Sequence, residues 1–275
     1  MENKCYICSK LYARFMETAW YVFCSGQLLV EKSGDGVWHI PHGDDPPVEV
    51  PVGSTVHTLC DRHGCESRTY CIYTPVAGDK RSGRMMCPLR SSFDLLSRDE
   101  YDMAGKASQI LNWDRNSRYC PMCGCPTKRI SRIGKRCPEC RQEFYPHISP
   151  AIIVLIKREP DSVLLVHARN FRGTYYGLVA GFVEPGETLE QCVHREVMEE
   201  TGITIKNLKY FGSQPWPYPS GIMVGFHAEY EGGEIKLQDE ELSAGAFYSR
   251  DRLPEIPGKM SIARRLIDAW LDGEI

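Results

Sequence analysis

The sequence has no long apolar run. The longest, AIIVLI at residues 151–156, falls far short of the ~20 residues needed to cross a bilayer as a helix. The opening residues, MENKCYICSKLYARF, lack the apolar core of a secretory signal. Neither sign of charge dominates. A net charge of −3 over 275 residues gives no global attraction to nucleic acid or to an anionic membrane surface. No internal repeat and no low-complexity tract is visible. With 42% hydrophobic and 25% charged residues, the composition is that of a globular chain, expected in the cytoplasm and not at a membrane.

Cysteine, by contrast, is plentiful, at 13 residues. In a small secreted domain that number would mean disulfides. Here the chain is long, the count is odd and no export signal is seen, so reduced thiols and metal ligands are the better reading. Four of them lie in CPMCGCPTKRISRIGKRCPEC, as Cys120-x-x-Cys123 and Cys137-x-x-Cys140. Two such knuckles place four thiolates in tetrahedral reach of one Zn²⁺ per chain, with a short hairpin between them, as in a zinc ribbon. Four protein thiolates leave no position open for water, so the expected role is structural. Cys125 is a spare. The basic stretch KRISRIGKR (128–136) is either a phosphate contact or a solvated hairpin tip. A further pair, Cys5-x-x-Cys8, lacks a partner pair at zinc spacing, although Cys60, His63 and Cys65 could combine with it.

Three regions follow: an N-terminal, mostly β domain ending in a helix (1–116), a zinc ribbon (117–146) and a C-terminal α/β domain (147–275). YVFCSGQLLVEKSGDGVWHIP (21–41) reads as three strands separated by turns, and HGDDPPVEVPVG (42–53) as a proline-rich break. Ser97 and Glu100 form a capping box, after which Tyr101, Ala104, Ser108 and Leu111 mark a helical stripe. Residues 150–170 read as two strands around an Asp-Ser turn. SIARRLIDAWL (261–271) sets Ile262, Leu266, Ile267 and Trp270 at helical spacing.

The most informative stretch is GFVEPGETLEQCVHREVMEETGI (181–203). A helix beginning near Thr188 and stopped by Gly202 as a C-cap would bury Leu189, Val193 and Val197. It would carry Glu196, Glu199 and Glu200 off that stripe. Like charges at i, i+3 and i+4 cost a helix about 0.2–0.5 kcal/mol per pair. A hard divalent cation explains that cost: Mg²⁺ takes carboxylate oxygen and also binds substrate phosphates. This stretch resembles the Nudix box of the Nudix hydrolases at every defining position. The resemblance implies an α/β/α sandwich and metal-dependent cleavage of a nucleoside diphosphate linked to another group. It implies catalytic roles for Glu196, Glu199 and Glu200, and more than one Mg²⁺ or Mn²⁺ held by the Ala180 carbonyl, Glu196, Glu200 and Glu241. Glu240 competes with Glu241 for the last place. Gly181 and Gly202 shape the loop and the helix end, and Glu187 and Arg195 brace the loop as a pair.

A second stretch, SQPWPYPSG (213–221), alternates proline with other residues. Proline fixes φ and holds its predecessor extended, so the expectation is a stiff extended loop presenting Trp216 and Tyr218, with the Gln214 amide free to read a base edge or ribose. Rings held this way suit flat bases; a rigid connector with core aromatics is the plainer alternative. The stretch resembles the substrate motif of the NADH pyrophosphatase subgroup, from which it departs at Tyr218 (usually Phe) and Gly221 (usually Ser). The resemblance makes Gln214, Pro215, Trp216, Pro217, Tyr218, Pro219, Ser220 and Gly221 substrate-binding. It also implies Tyr145 and Phe182 around the nicotinamide or another base, Arg90 and Ala263 lining the site, and a homodimer with the active site near the subunit interface. An acidic substrate contact of that subgroup has no counterpart in the basic hairpin here. The expected activity is hydrolysis of NADH or NAD⁺ to NMN(H) and AMP, and removal of NAD caps from RNA. The alternatives are a general ADP-ribose or dinucleotide pyrophosphatase, and a zinc-ribbon nucleic-acid-binding protein with an inactive Nudix domain.

Overall fold

The computed structural model describes residues 18–50, 52, 54–60, 66–71, 83–169, 173–238 and 240–275. The Cys5–Cys8 pair, with His63 and Cys65, falls outside them. The chain forms two compact units, Met1–His147 and Ile148–Ile275. The cysteine-rich region lies within the first unit.

In the first unit the strands are β1 (Ala19–Cys24), β2 (Gln27–Lys32), β3 (Trp38–His39), β4 (Val56–Cys60), β5 (Glu66–Cys71) and β6 (Arg84–Pro88). They form one sheet in the order β3-β2-β1-β5-β4, with β6 also on β2. Ser25 and Gly26 turn β1 into β2 with φ of 50° and 79°, the doubly left-handed turn that matches strand twist. Trp20, Val22 and Leu29 fill the core between strands. Helix α1 (Arg98–Asn116) starts at the expected Ser97/Glu100 capping box. Its buried face is Tyr101, Met103, Ala104, Ala107, Ile110 and Trp113, whereas Ser108 and Leu111 are only half-buried. The predicted stripe was therefore rotated, because burying Ile110 and Trp113 removes more apolar surface than burying Ser108.

Beyond α1 the ribbon adds β7 (Lys128–Ser131), β8 (Gly134–Arg136) and β9 (Glu143–Phe144), an antiparallel sheet in that order. What fastens it is Asp114, near the end of α1. Lys135 Nζ lies 2.8 Å from Asp114 Oδ1 and donates to the Asp114 carbonyl at 2.8 Å. The Nε2 of buried His57, on β4, lies 3.5 Å from Asp114 Oδ2, and the Arg129 guanidinium meets His57 Nδ1. Burial alone would raise the Asp114 carboxyl; hydrogen bonds from His57 and Lys135 outweigh it and hold the group well below the usual carboxylate range.

The second unit is built on β10 (Ser149–Arg158), β11 (Ser162–Ala168), β12 (Val179–Phe182), β13 (Thr204–Trp216), β14 (Gly221–Gly232) and β15 (Leu242–Ser249). The sheet order is β13-β14-β10-β11-β15, with β12 also on β10. Helix α2 (Leu189–Thr201) and helix α3 (Ile262–Leu271) cover its two faces. Along β10 the side chains alternate. Ile152, Val154 and Ile156 pack with Cys192, Val193 and Val197 of α2; Ile153 and Leu155 pack with Ile262, Leu266, Ile267 and Trp270 of α3. A strand buried on both faces reads as a continuous apolar run, which is why AIIVLI showed no polar alternation. This is an α/β/α sandwich.

Candidate active site and metal centre

Helix α2 is fixed at both ends by its own sequence. Thr188 and Gln191 exchange hydrogen bonds as a capping box, and Gly202 ends the helix at φ 70°. At that end Lys236 and Gln238 fold back on the helix. Lys236 N donates to the Thr201 carbonyl at 2.9 Å and Gln238 N to the Glu200 carbonyl at 3.0 Å, which brings Glu241 toward the helix.

Arg195 organises the N-terminal side. Its Nε donates to Glu187 Oε1 at 2.7 Å, and one Nη donates to Glu187 Oε2 and to the Phe182 carbonyl, each at 3.0 Å. The other Nη donates to Glu196 Oε1 at 2.8 Å and to Glu199 Oε2 at 3.0 Å. Glu187 also accepts from Glu184 N at 3.0 Å. The Arg195 hydrogen bond, with the Glu184 amide, holds the Glu187 carboxyl down at about 2. One guanidinium thus ties the loop, the strand end at Phe182 and two helix glutamates together. Gly181 completes the arrangement: a Cβ there would stand 1.9 Å from the Glu196 carboxylate. Only glycine lets that carboxylate lie against the strand where Ala180 and Gly181 pair with Ile153 and Ile152 of β10.

Glu200 differs from its neighbours. The glutamates were expected off the buried stripe, yet Glu200 is only 5% exposed. Val193, Val197 and Glu200 follow at i+4 and i+3 and so share one face. Burial, followed by the charges of Glu196, Glu241 and Glu199, pushes its carboxyl up to about 8. Glu196 is also raised, by burial first, against the pull of Arg195. A carboxyl buried among carboxylates is stabilised by a cation and by little else, so this donor set fits a hard divalent metal. The charge that joins the cluster from the late loop is that of Glu241.

The four predicted zinc ligands converge. The Sγ atoms of Cys120, Cys123, Cys137 and Cys140 all lie within 4.8 Å of one another. Three separations are 3.4, 3.4 and 3.8 Å, against roughly 3.8 Å for the edge of a tetrahedron with 2.3 Å Zn–S bonds. The glutamates of α2 are not drawn together to that degree; among the described residues the thiolates are the group meeting that spacing.

The aromatic-proline stretch is extended, as expected, but as the end of a strand and a tight turn where a loop was expected. β13 runs through Gln214 and Pro215 to Trp216, and residues 217–220 turn directly into β14. The register pairs Trp216 with Gly221. A Cβ at Gly221 would stand 3.2 Å from the Trp216 carbonyl, which favours glycine over serine there. Trp216 and Tyr218 meet edge to face at 5.1 Å, a geometry rings prefer. Pro217 is buried, while Pro215 and Pro219 are exposed. Gln214 is turned inward: it is 5% exposed and its Nε2 donates to the Met260 carbonyl at 2.8 Å. Its Oε1 is buried without a hydrogen-bond partner, and its neighbour through Nε2 is the turn before α3. Ala263 is likewise buried, among the α3 core residues. Phe182 is 66% exposed on the second unit and Tyr145 52% exposed on the first, where Arg90 is also exposed.

Comparison with known proteins adds to this geometry. The model of the NUDIX domain matches residues 147–271. A NAD-capped RNA hydrolase NudC from Pseudomonas aeruginosa (strain LESB58) is 45% identical over 192 residues, 69% of this chain and 68% of that protein. The chain belongs to the Nudix family. The first unit has a match of its own, to the NADH pyrophosphatase-like rudimentary NUDIX domain, over residues 17–113. Another NAD-capped RNA hydrolase NudC, from Pseudomonas syringae pv. tomato, is 48% identical over 174 residues, 62% of each protein. Among solved structures, a NUDIX hydrolase from Nitrosomonas europaea aligns at 21% identity over 56% of this chain and 90% of its own, with a TM-score of 0.48. The likeness of the first unit to a Nudix domain was missed in the sequence because the segment that corresponds to the acidic helix forms no helix among the described residues. No helix among the described residues is long and apolar enough to cross a membrane.

Proposed function

We propose that this Nudix protein hydrolyses the central diphosphate of NADH or NAD⁺, giving NMN(H) and AMP, and removes NAD caps from the 5′ ends of RNA. The observation that carries the reading is Glu200: a carboxyl on the Nudix helix, 5% exposed, whose charged neighbours are Glu196, Glu241 and Glu199. The aromatic-proline stretch, which resembles that of the NADH pyrophosphatases, and the names of the relatives support the same substrate class.

Glu196, Glu200, Glu241 and the Ala180 carbonyl would hold Mg²⁺ or Mn²⁺. Divalent ions there neutralise charge developing on phosphoryl oxygens and lower the pKa of a bound water. The chain's own contribution is placement. Arg195 fixes the Glu196 carboxylate, and Gly181 gives it room. Glu200, whose carboxyl is pushed up to about 8 by burial and its carboxylate neighbours, would hold such an ion as the deprotonated carboxylate. Glu199 stands more exposed beside Arg195 as a third acidic group. Trp216 and Tyr218 brace one another for stacking on a base, and Phe182 and Tyr145 offer exposed rings. Cys120, Cys123, Cys137 and Cys140 hold one structural Zn²⁺. The working form is a cytoplasmic homodimer, as in the subgroup resembled.

A substrate panel tests the reading: NADH, NAD⁺, ADP-ribose, a diadenosine polyphosphate and NAD-capped RNA, each with Mg²⁺ and with Mn²⁺. Preference for the NAD-containing substrates is expected. Equal turnover of ADP-ribose would favour a general dinucleotide pyrophosphatase, and no turnover of any would favour a binding protein.

A further inference from the structure

The strand that follows the late loop is irregular beside Glu241. Along β15, Ala246, Gly245 and Ala244 stand opposite Leu165, Val166 and His167 of β11, and then Leu242 stands opposite Ala168. Ser243 has no opposite number. It is the extra residue of a β-bulge, which bends one strand and re-aims the side chains beyond it. The packing shows the consequence. Leu242 lies in the core that α2 covers, and Phe247 packs against the same core. The two are five positions apart, and unbroken alternation would put them on opposite faces of the sheet. Without Ser243 as an extra residue, Leu242 would turn toward α3, and the turn that carries Glu241 would be re-aimed with it.

Two side chains close the bulge. Ser243 Oγ donates to the His167 carbonyl at 3.0 Å, and His167 Nδ1 stands 2.8 Å from the same Oγ. His167 Nε2 lies 2.9 Å from the Gly173 carbonyl, and the ring meets Tyr176 edge to face at 5.4 Å. Two residues further along β11's exit, Arg169 N donates to the Glu241 carbonyl at 2.8 Å, and Glu241 N donates to the Gln238 carbonyl at 3.1 Å. Gln238 N in turn donates to the Glu200 carbonyl. Both backbone groups of Glu241 are thus committed, one to the end of β11 and one to a residue tied to α2.

We propose that His167 and Ser243 are positioning residues for Glu241: by closing the bulge they hold its carboxylate where it meets the divalent cation shared with Glu196 and Glu200. The role rests on Glu241 being a metal ligand, and both residues act through it. A bulge leaves its extra residue unpaired in the ladder. Here a hydroxyl and a ring, bonded to each other across the strands, remove that freedom before an ion arrives. Removing a group that orients a metal ligand typically costs about 10–100-fold in metal affinity.

The experiment measures Mn²⁺ binding to the full chain without nucleotide, from the loss of the free-ion EPR signal, with zinc content and melting temperature checked. Ser243→Ala and His167→Leu should each weaken Mn²⁺ about tenfold. The double variant should be no weaker than the worse single one, because the two residues make one contact. His167→Asn, which sets an amide able to donate or accept close to where Nδ1 stands, should keep wild-type affinity. Glu241→Gln and Glu240→Gln are measured beside them. Normal Mn²⁺ affinity in Ser243→Ala and His167→Leu, with Glu241→Gln weakened, would overturn the positioning role and leave the metal site standing. Equal weakening in His167→Asn and His167→Leu would overturn it too, since the contact to Ser243 would then not be what matters. Should His167→Leu fail to fold, Ser243→Ala decides alone, because it deletes one hydroxyl from an exposed residue. Normal affinity in Glu241→Gln would instead remove Glu241 from the ligand set, and the positioning role with it.

Discussion

In the N-terminal sheet β1 pairs antiparallel with β2 and parallel with β5, β4 lies antiparallel to β5, and β6 lies antiparallel to β2. In the Nudix sheet β10 pairs antiparallel with β11 and parallel with β14, β13 lies antiparallel to β14, and β15 lies antiparallel to β11. Each sheet is followed by one helix, α1 or α3. These pairings follow one plan; the units differ at the third strand, β3 lying on β2 where β12 lies on β10, and in the segment between the third and fourth strands. In the Nudix unit that segment holds the acidic helix α2. In the first unit, residues 40–55, IPHGDDPPVEVPVGST, form no helix among the described residues. They are acidic too, with Asp44, Asp45 and Glu49, but Pro41, Pro46, Pro47 and Pro51 each remove a helix donor. The segment is held by contacts to its carbonyls instead: Trp20 Nε1 to the Gly43 carbonyl at 2.8 Å and an Arg84 Nη to the Pro47 carbonyl at 2.6 Å.

Acidic residues are also used differently in the two units. Glu100 caps α1 and accepts from Ile40 N at 3.0 Å, Asp102 pairs with Arg98, and Asp114 meets Lys135 and His57. Each has a donor within the chain. Glu200 has carboxylates around it.

The largest effect should come from removing that one charge. Glu200→Gln or Glu196→Gln should lower kcat for NADH by at least ~10²–10⁴-fold with the fold intact by circular dichroism, whereas Asp44→Asn/Asp45→Asn should change nothing. Turnover surviving in both Nudix variants would erase the distinction between the two units. Next is the four-thiolate cluster, which among the described residues lies in the first unit. Cys137→Ser should lose about one Zn²⁺ per chain by metal analysis and lower the melting temperature, since structural zinc sites contribute folding free energy outright. Freshly purified wild type without zinc would sink the ribbon assignment. Gly181→Ala should follow. Its Cβ would displace the Glu196 carboxylate, and a misplacement near 1 Å costs about 10²-fold in rate; a near-normal kcat would show that Glu196 tolerates another position. Trp216→Ala should weaken NADH by ~1–3 kcal/mol, seen in KM more than in kcat. Tyr218→Phe should cost little. If Trp216→Ala lowers the melting temperature and leaves KM alone, the pair is structural.

Much of this was legible in the sequence, and the exceptions share a cause. The acidic helix, its Thr188 start and Gly202 stop, the zinc knuckles and the α3 stripe are local patterns, fixed by residues within a few positions of each other. The repeated sheet plan was not legible, because it resides in strand pairing between residues far apart and its acidic helix is missing in one copy. Nor was the end of β13: prolines at 215 and 217 read as a stiff extended loop, yet the strand pairs through Pro215 and Trp216. The Asp114 hub joins β4, α1 and the ribbon hairpin, three places that no sequence window spans. Glu200 stood between the two cases. Its spacing to Val193 and Val197 predicted burial, but its chemistry argued for solvent, and the chemistry prevailed wrongly in the reading.

The smallest effect is the most specific to that residue. A glutamate whose folded pKa is raised holds its proton more tightly folded than unfolded. Its contribution to stability is therefore present in full below the unfolded value near 4.3 and is lost as pH rises through the folded value of about 8. Metal-free protein in EDTA should melt lower at pH 8.5 than at pH 5.5, by on the order of 5 °C for a unit of this size. Glu187, held at about 2, carries the opposite sign, but its window lies below pH 4 and does not overlap. Other groups add their own pH dependence, so the decisive quantity is the difference between wild type and Glu200→Gln. The variant should lose the Glu200 part of the slope and melt higher than wild type at pH 8.5 in EDTA. Saturating Mg²⁺ should narrow that gap or reverse it, because the cation supplies to Glu200 the counter-charge that the carboxylates of the first unit already find within the chain. Equal slopes for the two proteins, with and without Mg²⁺, would place Glu200 among the ordinary, internally satisfied acids and remove the physical basis for treating α2 differently from the rest of the molecule.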